Sequence, residues 1–493
     1  MVGLSATIGL ISLSWHPSHD APVVLYPAYL AWNGIKTPYS GIYDFNFPGT
    51  YLVYGFIGWI TSLSDWGLQF VDLLLLIVGG FLAALSFPKE SRRQALIGYC
   101  SFACLYLGWF SEYGLQREFF CTLLALGACA AAIRPKRLWM VGLLCGAAIL
   151  IKPTSAVAFA WIFVWALSRE PDWRQRGSAS LLAAIGVSIP LLLTVIWLFR
   201  IGSLSDFLAI SRNYSPLYLS MDGGHTVLTR PQHLAYDLHH LVAPDYGVLL
   251  LGGAITLVLS LSWQDICVRG EFGRVVLLFA GVTVCFYIYP VFSGQFWRYH
   301  YLPFFAFGLI TLAMGLCVTM GEGREKHRQF VGTGLASLLL IYYARGAVVA
   351  LQPGPSLPSD IVARQVSAYL TPRLKPGDTV QPLDWTGGTV AGMLQCRARL
   401  ATSFLYDFEF YHNVSNPVIR GLRSRFMREL NVAKPRYVLQ VNGEDKPWPS
   451  GPDTSREFPE LNRLLKDNYV IAAQYPTLVI WERSDPSLRA FRP

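Results

Sequence analysis

Apolar residues along this chain collect in runs of helical length, parted by short stretches rich in Lys and Arg. Runs able to cross, or nearly cross, a hydrocarbon core of ~30 Å fall at about 4 to 15, 67 to 87, 95 to 110, 119 to 133, 138 to 151, 154 to 168, 178 to 199, 246 to 262, 275 to 292, 301 to 320 and 330 to 350. The pattern predicts a multi-spanning α-helical membrane protein of about 11 spans. The first run lacks a basic flank and a small-residue cleavage site, so it reads as an anchor rather than a removed signal.

Charge orients these spans. Lys and Arg concentrate at Pro88 to Arg93, Arg134 to Arg137, Arg169 to Arg176, Arg269 to Arg274 and Gly321 to Arg328, and short cytoplasmic loops carry such an excess. The remaining loops, 16 to 66, 111 to 118, 152 to 153, 200 to 245 and 293 to 300, then face outward with the tail. If the first span goes out and 67 to 87 returns, the apolar stretch 48 to 63 cannot cross, and it lies along or dips into the outer interface; the alternative is that 48 to 63 is a true span and the amino terminus is outside. From Pro353 the character changes. Gln352 to Pro358 is punctuated by Pro and Gly, an amphipathic helix is expected near Asp360 to Leu370, a turn at Lys375 to Asp378, and short strands at Tyr437 to Val441 and Thr477 to Trp481. The division is a transmembrane domain, 1–350, and a small extracytoplasmic α/β domain, 351–493.

Composition narrows the class. Of 493 residues, 53% are hydrophobic and 14% charged, and that charged share is roughly half the ~25% of soluble domains. The net charge of +9 does not point to nucleic acid, because the basic residues are dispersed between apolar runs rather than gathered on one accessible face. The 9 cysteines include Cys100, Cys104, Cys121, Cys129, Cys145, Cys285 and Cys317 within apolar runs, Cys267 in a basic loop and Cys396 in the tail. Without a CxxC pair, neither a disulfide framework nor a zinc site is implied.

Charges bordering a membrane are costly, so their presence in short outer loops invites a functional reading. The outer set holds His19 and Asp20, Asp44 within the loop Tyr39 to Tyr51, Glu112, Arg117 and Glu118 in YGLQREFF, Lys152 in LIKPTS, and Gln295, Arg298, Tyr299 and His300 in SGQFWRYHYLP. Cations from separate loops beside an acidic first loop suit an anionic lipid head group.

The order of these features resembles the membrane-embedded, GT-C type glycosyltransferases that use polyprenyl-phosphate sugars, the superfamily of protein O-mannosyltransferases and the lipid A aminoarabinose transferase. The matching residues are Asp20, Tyr26 or Tyr29, Pro38-Tyr39, Asp44 and Pro48 in the first loop, then Gln116-Arg117-Glu118, Gly146 with Lys152-Pro153, and Arg298-Tyr299-His300-Tyr301 with Pro303. Two departures stand out. Many relatives carry two adjacent acids where this chain has His19-Asp20, and Pro-Pro where it has Phe47-Pro48. The first departs from a two-carboxylate mechanism. No metal site is assigned and no cofactor is expected, and a divalent cation has only slight support from His16-x-x-His19-Asp20, a set on one loop without visible outer partners.

The resemblance implies transfer of a sugar from a polyprenyl-phosphate donor to an envelope glycan, lipid or protein acceptor at the outer face of a bacterial inner membrane. Such an enzyme must deprotonate an acceptor hydroxyl and stabilise the departing phosphate. Asp20 is the expected base and Asp44 the orienting acid. Arg117, Lys152 and Arg298 are expected to meet the phosphate, with His19, Glu118, Gln295, Tyr299 and His300 also binding substrate. The competing readings are a lipid-linked glycan transporter or flippase, disfavoured because no halves match and the charges collect at one face, and an oligosaccharide ligase or polymerase, kept open by the long loop 200 to 245. The topology makes a prediction: alkaline phosphatase fused after Pro493 should be active and a green fluorescent fusion there dark. The opposite pair of results overturns the loop assignment.

Overall fold

The computed structural model describes residues 2–15, 20–134, 136–242, 244–260, 270–316, 323–351, 357–442 and 446–484. Every apolar run anticipated above carries helix. Among the described residues five helices are long and apolar enough to cross a membrane, Asp65–Leu85, Trp173–Arg200, Glu271–Ser293, Arg298–Leu316 and Lys326–Ala350, and the bent pair Arg230–Leu241 and Tyr246–Leu259 makes a sixth if it is one span. Others are shorter. Leu138–Ile151 has 14 residues, which at ~1.5 Å per residue covers roughly two thirds of a ~30 Å core.

Burial sorts the long helices into inner and outer. The apolar window of Arg298–Leu316 is 94% buried and that of Trp173–Arg200 only 22%, so the first forms the centre of the bundle while the second turns most of its apolar surface outward. Outward-facing Ile77, Phe81, Leu192, Leu193 and Phe199 are the exposed apolar side chains a lipid-facing surface carries. The outer helix is held by close backbone approach. A Cβ on Gly142 would stand 2.0 Å from the Ala183 carbonyl oxygen, and one on Gly186 2.2 Å from that of Trp139. Between membrane helices, where lipid is as apolar as leucine, such small-residue contacts provide the packing.

The first loop is less of a loop than expected. Residues 16 to 66 contain the helices Ala21–Trp32 and Pro48–Thr61. Gly49 lies against the backbone of Leu150, at the end of Leu138–Ile151, while the other end of the second helix passes through Ser64 into Asp65–Leu85. Asp72, two turns into that next helix, accepts a hydrogen bond from Leu115 N at 3.3 Å, just ahead of Arg117–Ala132. Both ends of Pro48–Thr61 therefore lie at one face of the bundle, and the helix runs along that face rather than through it.

The tail forms a five-stranded sheet from β1 (Thr379–Leu383), β2 (Arg399–Leu400), β3 (Tyr437–Val441), β4 (Tyr469–Gln474) and β5 (Leu478–Arg483), in the order β2-β1-β3-β5-β4. β1 pairs parallel with β2 and β3, and β5 pairs antiparallel with β3 and β4. Helices Pro358–Leu370, Thr389–Gln395, Pro417–Ala433 and Pro459–Asn468 accompany it. This unit docks on the first-loop helices: Tyr26 Oη donates to Ala398 O at 2.8 Å, Tyr43 N to Ser403 O at 2.7 Å, and Arg397 to Ser62 O at 2.6 Å. The Gly186 contact makes a prediction. Gly186→Leu should destabilise the solubilised protein by about 1–3 kcal/mol or more through overpacking, read as a lowered melting temperature, whereas Gly127→Ala, whose Cβ would meet its nearest atom at 3.4 Å, should change little. Equal melting temperatures would refute the packing role.

Candidate active-site cavity

A cavity of about 330 Å³ opens where the bundle meets the tail unit. Asp20, Asn46, Glu112, Arg117, Arg298 and Tyr299 line its floor and sides, and Trp385, Thr386, Tyr406 and Pro447 of the tail unit complete the wall. Asp20 occupies the N-cap of Ala21–Trp32, where its carbonyl takes the first helical hydrogen bonds. Its carboxylate stands 3.5 Å from Gln116 Nε2. Arg117 is the first residue of Arg117–Ala132 and donates to Asn46 Oδ1. Arg298 stacks 4.0 Å over Trp109 and lies 3.6 Å from Glu112.

Asp44, a second acid of the first loop, lies behind the wall. Asp44 is buried and accepts from Asn46 N at 2.9 Å, Asn46 Nδ2 at 2.8 Å and Tyr51 Oη at 2.9 Å. Burial pushes its carboxyl above the usual range, and those hydrogen bonds oppose the shift. Asp44 thus holds Asn46, and Asn46 holds Arg117. Asp44, expected as the orienting acid, does not line the cavity; it is joined to the wall through Asn46.

Lys152 and Glu118 are likewise set back. Lys152 is followed by Pro153, which disfavours helical geometry at the preceding residue; its backbone is extended at φ −151° and ψ 104°. The helix stops there, and the side chain pairs with fully buried Glu118. His300 Nε2 lies 3.5 Å from the same carboxylate, and its Nδ1 lies 2.8 Å from Gln295 O and 3.2 Å from Ser293 Oγ. Tyr289 Oη is 3.5 Å from Glu118. Of the expected binding residues, Arg117, Arg298 and Tyr299 reach the cavity wall, while Glu118, Lys152, Gln295 and His300 form a layer beneath it. His19 lies outside the described residues, as does His16; among the described residues no group of three or more His, Cys, Asp or Glu side chains is placed to hold a metal ion.

Sequence reasoning missed Asn46, Tyr218, His225, Trp385 and Tyr406 as wall residues. Asn46 had a local signal, two positions beyond Asp44. The others reach the cavity only through tertiary docking.

No family model and no curated protein sequence matches the chain. Among solved structures, ArnT from Cupriavidus metallidurans bound to undecaprenyl phosphate aligns with a TM-score of 0.58 over 98% of this chain and 97% of that one, at 11% identity. The fold is that of ArnT. Its apo form gives a TM-score of 0.56 over 97% and 96% of the two chains, also at 11% identity. The architecture, a multi-pass helical bundle joined to a smaller unit, is therefore shared along nearly the whole length. The oligosaccharyltransferase AglB from Archaeoglobus fulgidus, at a TM-score of 0.44 and 11% identity over 89% of this chain and 69% of that one, is too distant to bear on the site.

The buried pair makes the prediction here. Lys152→Met strands the Glu118 carboxylate and should cost about 3–5 kcal/mol, whereas Lys152→Met combined with Glu118→Gln should recover most of it. Thermal unfolding of the three proteins in nanodiscs checks this, and a double variant no more stable than the single one would show that the pair is not coupled.

Proposed function

We propose that this protein is a glycosyltransferase that moves a sugar from a polyprenyl-phosphate donor to an acceptor hydroxyl at the outer face of a bacterial inner membrane. The observation that carries the reading is the cavity itself, which sets the Asp20 carboxylate among two guanidinium groups, Arg117 and Arg298, the second of them beside Glu112. The shared ArnT fold supports it. In this reading the span count is about 11, the tail unit is extracytoplasmic, and the docking face is the outer one.

The chemistry follows from what the bond needs. The acceptor oxygen attacks the anomeric carbon and passes its proton to Asp20, the bond to phosphate breaks, and the charge left on polyprenyl phosphate is met by Arg117 and Arg298, where charge-assisted hydrogen bonds are strongest. Asn46, tied to Asp44, keeps Arg117 aimed. The lipid chain needs an apolar exit beside the phosphate. Arg298 also lines a groove of about 730 Å³ with Trp109, Tyr246, Phe305 and Tyr343, so a lipid whose phosphate meets Arg298 can lay its chain there. A second apolar groove of about 680 Å³, from Gly49 and Ile151 at one end to Arg134 and Arg137 at the other, shares no residue with the cavity. Ionisable side chains gathered at one end of the bundle weigh against transport, which needs them near the midplane.

Two substitutions test the roles. Asp20→Asn keeps size but removes basicity and should lower turnover on the order of 100-fold or more, with undecaprenyl-phosphate binding little changed. Arg117→Gln should instead weaken lipid-phosphate binding. Asp44→Asn, acting through Asn46, should cost less than Asp20→Asn. If Asp20→Asn transfers sugar at the normal rate from a purified polyprenyl-phosphate donor, the assigned base is wrong.

A further inference from the structure

The apolar groove of about 680 Å³ is a slot assembled from one face of each of several helices. Leu123, Gly127 and Ala131 of Arg117–Ala132, and Met140, Leu144 and Ala147 of Leu138–Ile151, line it at intervals of three or four residues, the spacing that aligns side chains along a helix. These two faces form its floor. Leu75, Val78 and Leu82 of Asp65–Leu85 stand on one side, where Gly79 meets Leu123, and Pro190 and Leu193 of Trp173–Arg200 on the other, where Gly142 meets Ala183. Val78 and Leu193, one from each side, are exposed, so the slot is open along its length toward the lipid. Small residues keep its floor deep: a Cβ on Gly127 would meet Leu144 at 3.4 Å and Leu82 at 4.0 Å.

The two ends differ. One is closed by Pro48–Thr61, whose Gly49 lies against the Leu150 backbone and whose Leu52 and Val53 continue the lining. The other carries Arg134 and Arg137, and among the described residues no acidic side chain lines the groove. Arg134 is half-buried and Arg137 exposed. Arg169 at this end is already engaged, with Ile133 O at 3.3 Å and Glu271 at 3.3 Å. Orientation in the membrane calls for basic residues in this loop, but it does not call for two of them to open onto an apolar slot. Lys136, between them, does not line it. The 14 residues of Leu138–Ile151 run about 21 Å, longer than the ~15 Å depth of one leaflet, half of a ~30 Å core.

We propose that this groove binds an anionic phospholipid from the leaflet opposite the active-site cavity, with its phosphate at Arg134 and Arg137 and an acyl chain laid along the slot. The lining decides the class of ligand. A peptide would leave its backbone N–H and C=O groups without partners in so apolar a slot, whereas an acyl chain needs none. At the basic end, guanidinium groups suit a phosphate, and basic pockets at the cytoplasmic ends of transmembrane helices take phospholipid head groups. A zwitterionic lipid brings a cation beside its phosphate, which two arginines repel. The site stands apart from the glycosyl-transfer reading, because the groove shares no residue with the cavity. Arg117 begins the helix that Arg134 follows, which puts the two roughly 25 Å apart along its axis.

Native mass spectrometry of the delipidated full-length protein in a neutral detergent tests this, with phosphatidylglycerol and phosphatidylcholine of identical chains as the probes. One phosphatidylglycerol should be retained saturably, and phosphatidylcholine at least about tenfold more weakly. Arg134→Gln combined with Arg137→Gln should lower phosphatidylglycerol affinity on the order of 30-fold, about fivefold per arginine, and erase the preference. Gly127→Leu keeps both arginines but places a side chain in the slot, and it should weaken binding about tenfold. Phosphatidylglycerol should raise the melting temperature of the native protein and not that of either groove variant. Arg117→Gln, at the cavity, should bind phosphatidylglycerol as the native protein does. Equal affinity for the two lipids, unchanged binding in either groove variant, or an equal loss in Arg117→Gln would each overturn the site. Displacement of phosphatidylglycerol by undecaprenyl phosphate with the same dependence on Arg134 and Arg137 would overturn its assignment to a phospholipid.

Discussion

A carboxylate that no water reaches must be paired, and the Glu118 carboxylate governs how this bundle is put together at the end that carries the cavity. Isolated, it would cost several kcal/mol. Its partners come from different parts of the chain: Lys152 from the break after Leu138–Ile151, Tyr289 from Glu271–Ser293, and His300 from the first turn of the central helix Arg298–Leu316. Pairing one oxygen of this acid, Oε1, brings three chain segments into register with the start of Arg117–Ala132. Arg117, its neighbour, is then carried to the cavity wall, and Arg298 and Tyr299 arrive there with the His300 turn.

The second determinant is the joint between bundle and tail unit. Tyr26 and Tyr43 reach from the first-loop segment into the tail, and the Met221–Val227 turn is clasped from both sides. The cavity is thus shared: Asp20, Glu112, Arg117 and Arg298 all come from the bundle side, with aromatic rings among them, and the tail unit closes it with Trp385, Thr386, Tyr406 and Pro447. Asp44 and Glu409, both fully buried near this joint, carry carboxyls pushed above their usual range by burial.

Much of the architecture was legible along the chain. The apolar runs became helices, β3 coincides with the expected strand at Tyr437 to Val441, the helix near Asp360 spans Pro358–Leu370, and Gly377, at φ +92°, sits in the turn read at Lys375 to Asp378. The helix Ala21–Trp32 was not legible, because a short apolar run carrying Pro22 and Pro27 within an expected loop has neither the length of a span nor a clear helical stripe. At the site, Asp20, Arg117, Arg298 and Tyr299 were found from their place beside apolar runs, which the expense of charge near lipid makes conspicuous. Depth was not: that Asp44, Lys152, Glu118, Gln295 and His300 stand behind the wall depends on which partner each side chain meets.

The sequence by itself determined the class of protein, its helical runs, the alternation of basic loops and the residues that carry charge at one face, since these follow from local hydropathy and from the cost of placing charge in lipid. Only the tertiary structure decided which of those residues share a cavity. Asp20, His225 and Trp385 meet because docked surfaces, each a sum of many buried contacts between distant segments, bring them there, and no local period in the chain records such a sum.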